Sequence, residues 1–150
     1  MRKFVTTATI AAASLVLGSC GGETASEDVD VEGATSASAQ PQPTFAELTG
    51  DPAAGERAYG KCRACHLLEE GRVLVGPSLY GIVGRQAGSV PGFAYSEANA
   101  SADFTWTGEV LFEYLENPRE QMPGTRMVFP GIADAQERAD IVAFLETQGD

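Results

Sequence analysis

The chain has 150 residues, of which 43% are hydrophobic and 21% are charged, so it is long enough for one domain with a buried core. Its 21 Asp and Glu against 10 Lys and Arg give a formal net charge of −11. This charge argues against a nucleic-acid-binding protein, because affinity for nucleic acid comes mainly from Lys and Arg that neutralise phosphates. The ordinary hydrophobic content argues against disorder of the whole chain.

The N-terminus has the pattern of an export signal. Arg2 and Lys3 precede an uncharged stretch, residues 4–18, that is short and rich in Thr, Ala and Ser. A transmembrane helix is the alternative, but it needs about 20 apolar residues. The sequence Leu-Gly-Ser-Cys that ends at Cys20 resembles the lipobox of bacterial lipoproteins, whereas a simple signal peptide ending near a cysteine is the other interpretation. The resemblance implies removal of residues 1–19.

A lipobox also implies that Cys20 carries acyl chains, which would hold the protein durably at a membrane surface. We therefore expect an exported protein, anchored on the periplasmic side of a bacterial membrane, most simply the inner membrane. Residues 20–50 follow as an acidic tract of Ala, Ser, Thr, Gly and Pro without apolar periodicity. This composition predicts a flexible linker, with about 30 Å between its ends for 30 residues. The folded domain is predicted over 51–150.

The first two predicted helices have clear boundary residues. Asp51 and Pro52 are typical of an N-cap and first helical position, and they predict a helix over 53–64. A second helix is predicted over 107–116, where apolar residues recur at helical spacing. It ends before Pro118, because the residue that precedes a proline is disfavoured in a helix.

A third helix and two long loops complete the predicted all-α domain. Asp134 and Glu137 resemble a capping-box pair, and the helix that follows ends near Gly149. Two stretches rich in Gly and Pro, residues 71–95 and 121–131, show no strand alternation. Such long irregular loops are unusual in a domain of about 100 residues. They are reasonable if they surround a large cofactor.

Cys62, Cys65 and His66 form the C-x-x-C-H pattern of covalent haem attachment. Two thiols three residues apart lie on one face at the end of a helix, where they can add to the two vinyl groups of a haem. The imidazole that follows then projects towards the iron from the same side. This pattern predicts one covalently bound haem c, with His66 as an axial iron ligand.

Three other interpretations of these cysteines are weaker. A thioredoxin-type dithiol lies within a βαβ unit, and no strand pattern surrounds this one. A structural zinc site needs four ligands, and the remaining cysteine, Cys20, lies far away along the linker. A disulfide between Cys62 and Cys65 would close a tight loop of little structural use. The predicted export signal also agrees with haem attachment, which takes place outside the cytoplasm.

The second axial ligand has to be a different residue type, because His66 is the only histidine. Lysine, a terminal amine and an open position are all possible. Met122 and Met127 are the methionines left after signal removal, and both lie in the loop between the second and third predicted helices. Methionine in an apolar sequence is usually core filling, but a loop that faces a cofactor favours ligation. Spacing alone does not choose between the two.

The whole predicted domain resembles the class I cytochromes c of the mitochondrial and cytochrome c2 type. The resemblance rests on residues that occur in the same order as in that family, over about 100 residues. They are Gly55, Tyr59, the C-x-x-C-H motif, Gly76-Pro77, Gly84-Arg85, the stretch 91–95, Asn99, Trp106, the stretch 113–118 and the stretch 123–127. The implied fold has three main helices, with long loops wrapped around one haem.

The resemblance implies a role for each matching residue. Met127 would be the sixth iron ligand, and the Pro77 carbonyl would accept a hydrogen bond from His66. Gly55 would let the first helix cross the last one closely, with Tyr59 stacked near Phe144. The groups that would contact the haem propionates are Arg85, Tyr95 and Trp106, and those that would lie near Met127 are Asn99, Tyr114 and Thr125. The aromatic residues among them are core residues in either interpretation.

The surface charges depart from the family pattern. Family members that serve respiratory oxidases usually carry a ring of lysines around the exposed haem edge. The matching cations here, which are candidate docking residues, are Lys61, Arg72, Arg119 and Arg126. Residues 51–150 contain 8 Lys and Arg against 15 Asp and Glu. We therefore expect weaker electrostatic steering than is usual, compensated by the membrane tether.

The predicted function is one-electron transfer by a monomer, without an enzymatic reaction. The expected partners are membrane redox complexes, with a bc1-type complex as donor and a terminal oxidase as acceptor. Two alternatives remain at this point. One is a peroxidase-like haem enzyme with a labile methionine ligand, and the other is a permanent haem subunit of a larger oxidoreductase.

Overall fold

The computed structural model describes residues 41–149, so the predicted signal peptide 1–19, Cys20 and the linker up to residue 40 lie outside the described part. Within it the regular structure is helical, and an isolated bridge between Gln86 and Thr105 is the only β pairing. The α-helices are α1 (Pro52–Ala58), α2 (Glu97–Ala100), α3 (Gly108–Glu116), α4 (Pro118–Gln121) and α5 (Ala135–Glu146). Two 3₁₀ helices span Phe45–Glu47 and Tyr59–Lys61. The all-α fold is confirmed.

The three longest helices, α1, α3 and α5, begin where the sequence predicts. The side chain of Asp51 accepts a hydrogen bond from the amide of Ala53 at 2.9 Å, and Asp134 accepts one from Glu137 at 2.7 Å. Thr107 caps α3 in the same way. None of the helices formed by residues 41–149 is long and apolar enough to cross a lipid bilayer.

The first helix is shorter than predicted. It ends at Ala58 and tightens into the 3₁₀ helix Tyr59–Lys61, in which the Cys62 amide bonds to the Tyr59 carbonyl at 2.8 Å. Gly60 weakens an α-helix at this point, so the tighter turn leads into the cysteine motif. The single-turn helices α2 and α4 were not predicted, because four residues are too few to show a period.

Helices α1 and α5 cross at Gly55. A Cβ atom on Gly55 would lie 1.9 Å from the carbonyl oxygen of Asp140 and 2.8 Å from Cβ of Phe144, so only glycine permits this approach. One turn later the rings of Tyr59 and Phe144 pack with centroids 5.5 Å apart. The predicted crossing and the predicted aromatic contact are both confirmed.

The packed domain begins earlier than residue 51, so the predicted linker boundary at residue 50 is wrong. The ring of Phe45 packs on Phe112 with centroids 5.5 Å apart. The side chain of Gln136 donates a hydrogen bond to the Thr49 carbonyl at 2.8 Å. Phe45 and Leu48, three residues apart on a short helical turn, are partly buried against the core. Two apolar residues are too few to register as periodicity, which is why the sequence suggested a linker.

Candidate functional site

The cysteine motif forms a helical turn directly after the Tyr59–Lys61 helix. The amides of Cys65 and His66 both donate to the carbonyl of Cys62, each at 3.0 Å. This winding brings the side chains at positions 62, 65 and 66 to one side of the turn. Cys65 is exposed, whereas Cys62 is half-buried, and both thiols are free. The motif therefore presents two thiols, not joined in a disulfide, next to an imidazole.

The imidazole of His66 is held by the backbone of the following loop. Its Nδ1 lies 2.8 Å from the carbonyl oxygen of Pro77, the contact that the resemblance implied. A carbonyl oxygen only accepts, so Nδ1 carries the proton and the lone pair is on Nε2. Burial lowers the pKa of His66, although the hydrogen bond to Pro77 opposes the shift. The imidazole is thus neutral near pH 7, with Nε2 ready to bind a metal.

Gly76 is part of this arrangement, although the sequence suggested no role for it. A Cβ atom there would lie 2.3 Å from Cε1 and 2.6 Å from Nδ1 of His66. The Gly76 amide also donates to the carbonyl of Cys65 at 2.8 Å. The chain at Gly76 therefore lies close against the imidazole, and any side chain would displace the ring.

The phenol of Tyr59 supports the motif from the core. Its hydroxyl donates to the backbone carbonyl of His66 at 2.9 Å. Burial, reinforced by the neighbouring Cys62, raises the pKa of Tyr59 to about 12. Burial likewise raises the pKa of Cys62 to about 11, so this thiol stays protonated at neutral pH.

These residues fit a covalently attached haem. Two free thiols with C-x-x-C spacing can form the thioether bonds, and His66 offers Nε2 while Nδ1 is held by Pro77. Among residues 41–149, no three His, Cys, Asp or Glu side chains come close enough together to hold a metal ion.

The structure separates the two methionines. Met122 is 6% exposed and belongs to the hydrophobic core. Met127 is half-buried in the irregular loop after α4, and its amide donates to the hydroxyl of Thr125 at 3.3 Å. Met122 is therefore a core residue, and Met127 is the methionine available to a cofactor.

The three residues expected near Met127 are brought together around its loop. The side-chain amide of Asn99, on α2, reaches the Thr125 hydroxyl at 3.5 Å. Burial raises the pKa of the Tyr114 phenol, and a hydrogen bond with Thr125 offsets part of that shift. Thr125 therefore connects α2, α3 and the methionine loop through one hydroxyl.

The three residues expected at the propionates also lie close together in the fold. The amide of Trp106 donates to the carbonyl of Arg85 at 2.9 Å. Burial lowers the pKa of Arg85, and nearby Tyr95 partly opposes this. The indole of Trp106 packs edge-on against the ring of Tyr114 at 4.9 Å. Trp106 thus links this group with the one around Met127.

Arg85 has a structural role that the sequence did not reveal. Its Nη1 donates to the carbonyl of Tyr80 at 2.8 Å, and its Nη2 donates to that of Ser78 at 2.7 Å. Ser78 is itself buried, and its hydroxyl donates to the Glu69 carbonyl at 2.6 Å. The guanidinium therefore holds the loop that carries Pro77, besides any contact with a cofactor. Sequence alone does not distinguish such an arginine from a surface one.

The four candidate docking cations differ in their surroundings. Lys61 forms an ion pair with Glu137, and Arg72 lies 3.5 Å from Glu69. Arg126 donates to a backbone carbonyl, that of Ala94. Arg119 is exposed on α4. At least two of the four charges are thus balanced by a carboxylate of the same chain.

Comparisons with known proteins agree with this geometry. A family model described as cytochrome c matches residues 52–149. Cytochrome c2 from Rhodopila globiformis is 52% identical over 99 residues, which cover 65% of this chain and 93% of that protein. Cytochrome c2 from Rhodomicrobium vannielii is 45% identical over 104 residues, which cover 69% and 83%.

A solved structure, cytochrome cH from Methylobacterium extorquens, is 45% identical to this chain in sequence, and the TM-score is 0.63. The match covers 66% of this chain and 100% of the cytochrome cH chain. The residues matched by the family model include the thiols, the imidazole and the methionine loop. The chain therefore belongs to the cytochrome c family, as a class I member with a covalently bound c-type haem at Cys62 and Cys65.

Proposed function

We propose that this electron carrier works as a membrane-tethered one-electron shuttle between respiratory complexes. It would accept electrons from a bc1-type complex and deliver them to a terminal oxidase. A bound haem would supply the one-electron change between ferrous and ferric iron, and His66 and Met127 would be the residues that ligate it. The proposal rests mainly on one observation, the contrast between a buried Met122 and a half-buried Met127 in a loop.

On the histidine side, the chain keeps the imidazole neutral and fixed. The Pro77 carbonyl accepts from Nδ1, which increases the electron density at Nε2 and sets the ring orientation. The chain at Gly76 packs against the His66 ring, and the hydroxyl of Tyr59 donates a hydrogen bond to the backbone carbonyl of His66. A ligand held in this way moves little when the metal charge changes, which favours fast electron transfer.

On the methionine side, the thioether would be positioned by its loop. The Thr125 hydroxyl accepts from the Met127 amide and contacts Asn99, so the backbone around the ligand is tied to α2. Methionine ligation and burial both raise the reduction potential of a haem. If His66 and Met127 both ligate the iron, no coordination site would be left for a substrate, and the protein would not act as an enzyme.

The tether supports the choice of membrane partners. Acylated Cys20 would hold the chain on the periplasmic side of a bacterial membrane, and residues 21–44 would form the acidic linker. A linker of this length keeps the domain close to membrane complexes, which raises its effective concentration there. A monomer can then move between donor and acceptor without leaving the surface.

Absorption spectra of the protein made with c-type maturation machinery test the ligand assignment. We expect sharp low-spin bands in the ferrous form and a weak far-red sulfur-to-iron band in the ferric form. Met127→Ala should abolish the far-red band, lower the reduction potential and open the iron to peroxide and cyanide. Met122→Leu, which preserves volume in the core, is the matched control and should keep all three properties.

Two results would contradict the proposal. A far-red band and a potential that are unchanged in Met127→Ala would exclude this residue as ligand. A high-spin ferric spectrum in the wild-type protein, which shifts on addition of peroxide or cyanide, would indicate an open iron and favour the peroxidase-like alternative.

A further inference from the structure

An apolar loop, residues 73–75, lies exposed on the surface. The exposed fractions are 39% for Val73, 49% for Leu74 and 74% for Val75. Single exposed apolar side chains are common on proteins, but three in a row on the surface of a folded domain are unusual unless they serve binding. The loop needs an explanation beyond folding, because these side chains add little to the core.

The backbone places this loop beside the haem-attachment motif. Val75 is followed by Gly76, whose amide bonds to the Cys65 carbonyl and whose backbone touches the His66 ring. The amide of Leu74 donates to the carbonyl of Gly76 at 3.1 Å, so the three residues form a tight turn projecting from the motif. A partner that covers the loop would therefore approach the side of the domain where Cys65 is exposed.

Two cations near the loop and the motif are paired within the chain. Arg72, which precedes the loop, lies 3.5 Å from Glu69. Lys61, which precedes the motif, is paired with Glu137. The loop itself carries no charge. The loop therefore presents apolar side chains next to an internally paired Arg72 and the acidic Glu69 and Glu70, and it offers little for an acidic patch on a partner to bind.

We propose that the apolar loop is the docking surface for an uncharged, apolar face of a membrane-bound redox complex. The inference rests on the proposed function, since it names the chemistry of the partner with which electrons are exchanged. An apolar contact suits a tethered protein, because the tether brings the two surfaces together and long-range steering is not needed. Electron transfer should accordingly depend only weakly on ionic strength.

The test uses the full lipidated haem protein. Membrane vesicles are prepared from a strain of the source organism in which the gene for this protein has been deleted. Oxidation of the ferrous protein by the vesicles is followed by absorption, at several salt concentrations. The variant Val73→Ser/Leu74→Ser/Val75→Ser removes the apolar side chains without changing charge. We expect its rate to be about tenfold lower than that of the wild type at every salt concentration. The rate of the wild type should change less than threefold with salt.

A matched control changes three exposed alanines that lie outside the loop, in the variant Ala53→Ser/Ala100→Ser/Ala133→Ser. Its rate should stay within twofold of the wild type. Unchanged rates in the loop variant, or a steep fall of the wild-type rate with salt, would overturn the docking inference while leaving the proposed function intact. A wild-type protein that the vesicles neither oxidise nor reduce would instead contradict the proposed function.

Two further measurements decide how the loop acts. Spectra and reduction potential must be the same in the loop variant and the wild type. A shift in either would show that these side chains pack on the haem, and it would overturn the inference. Sedimentation of the haem protein at 100 µM tests self-association. A wild-type dimer that the loop variant loses would identify a second copy as the occupant and would also overturn it.

Discussion

Replacement of Gly76 by alanine tests how the chain holds its axial imidazole. Gly76 does not have a positive φ, so its backbone conformation accepts an alanine without strain. The new methyl group would nevertheless lie 2.3 Å from Cε1 of His66, about 1 Å closer than ordinary van der Waals contact. The ring has to move by roughly that amount, because Gly76 is also tied to the Cys65 carbonyl.

The loss of stability in Gly76→Ala follows from the hydrogen bond that breaks when the His66 ring moves. A movement of about 1 Å lengthens the 2.8 Å contact between Nδ1 and the Pro77 carbonyl beyond the usual limit of about 3.2 Å. The lost bond is worth about 1 kcal/mol, and a buried polar group left unpaired costs about 1–3 kcal/mol more. We expect Gly76→Ala to lower the free energy of unfolding by about 2–4 kcal/mol.

The same variant should change the reduction potential. The Nδ1 hydrogen bond makes the imidazole a stronger donor, which favours ferric iron. Loss of this hydrogen bond should raise the reduction potential by about 40 mV for each kcal/mol by which the bond favours ferric over ferrous iron.

Guanidinium unfolding followed by circular dichroism and a spectroelectrochemical titration measure both effects on the haem protein. With a slope of about 3 kcal/mol per molar guanidinium, the unfolding midpoint should fall by about 1 M. Gly60→Ala is the matched control, because a Cβ atom there meets nothing within 4 Å, and it should leave both properties near the wild-type values. A Gly76→Ala protein that behaves like the wild type, or a Gly60→Ala protein in which both properties change as much, would contradict a steric contact between position 76 and His66.

Three further predictions concern two other contacts and the proposed lipid anchor. Gly55→Ala should lower the free energy of unfolding by about 2 kcal/mol, because overpacking against the Asp140 carbonyl exceeds the helix propensity that alanine adds. Tyr59→Phe should cost about 1 kcal/mol at pH 7 through loss of the bond to the His66 carbonyl. Cys20→Ala should move the protein from the membrane fraction to the periplasmic extract.

Each of the three predictions has its own test: the pH dependence of stability for Tyr59→Phe, a control variant for Gly55→Ala and cell fractionation for Cys20→Ala. The folded-state pKa of Tyr59 is about 12 against about 10 in the unfolded chain, so the unfolded chain ionises first as pH rises. Wild-type stability should therefore fall between pH 10 and 12. Tyr59→Phe should reduce that fall, and the remainder includes Tyr114, whose pKa burial also raises. An equal fall in both proteins would refute this. Ala54→Ser is the control for Gly55→Ala, and an equal loss in both would contradict the close crossing. A Cys20→Ala protein still in the membrane fraction would contradict acylation.

The local sequence alone determined the parts of the protein whose chemistry is carried by neighbouring residues. The C-x-x-C-H motif predicted the cofactor, because thiol spacing and an adjacent imidazole are sequence properties. The N-caps Asp51 and Asp134 are confirmed as helix starts for the same reason, since a cap bonds to an amide two or three residues away. The close approach at Gly55 could be predicted only from the resemblance to a known family.

Tertiary structure alone decided the features that depend on residues distant in the sequence. Spacing does not separate Met122 from Met127, and the resemblance implied Met127 without a physical reason, which the burial of Met122 in the folded core provides. The packing of Phe45 onto α3 was missed, because a short turn becomes stable only against its partner. The contact of Gly76 with His66 joins two segments of the chain, and no local pattern encodes it. Burial and steric contact are properties of the folded domain, whereas capping and thiol spacing are already present in the chain.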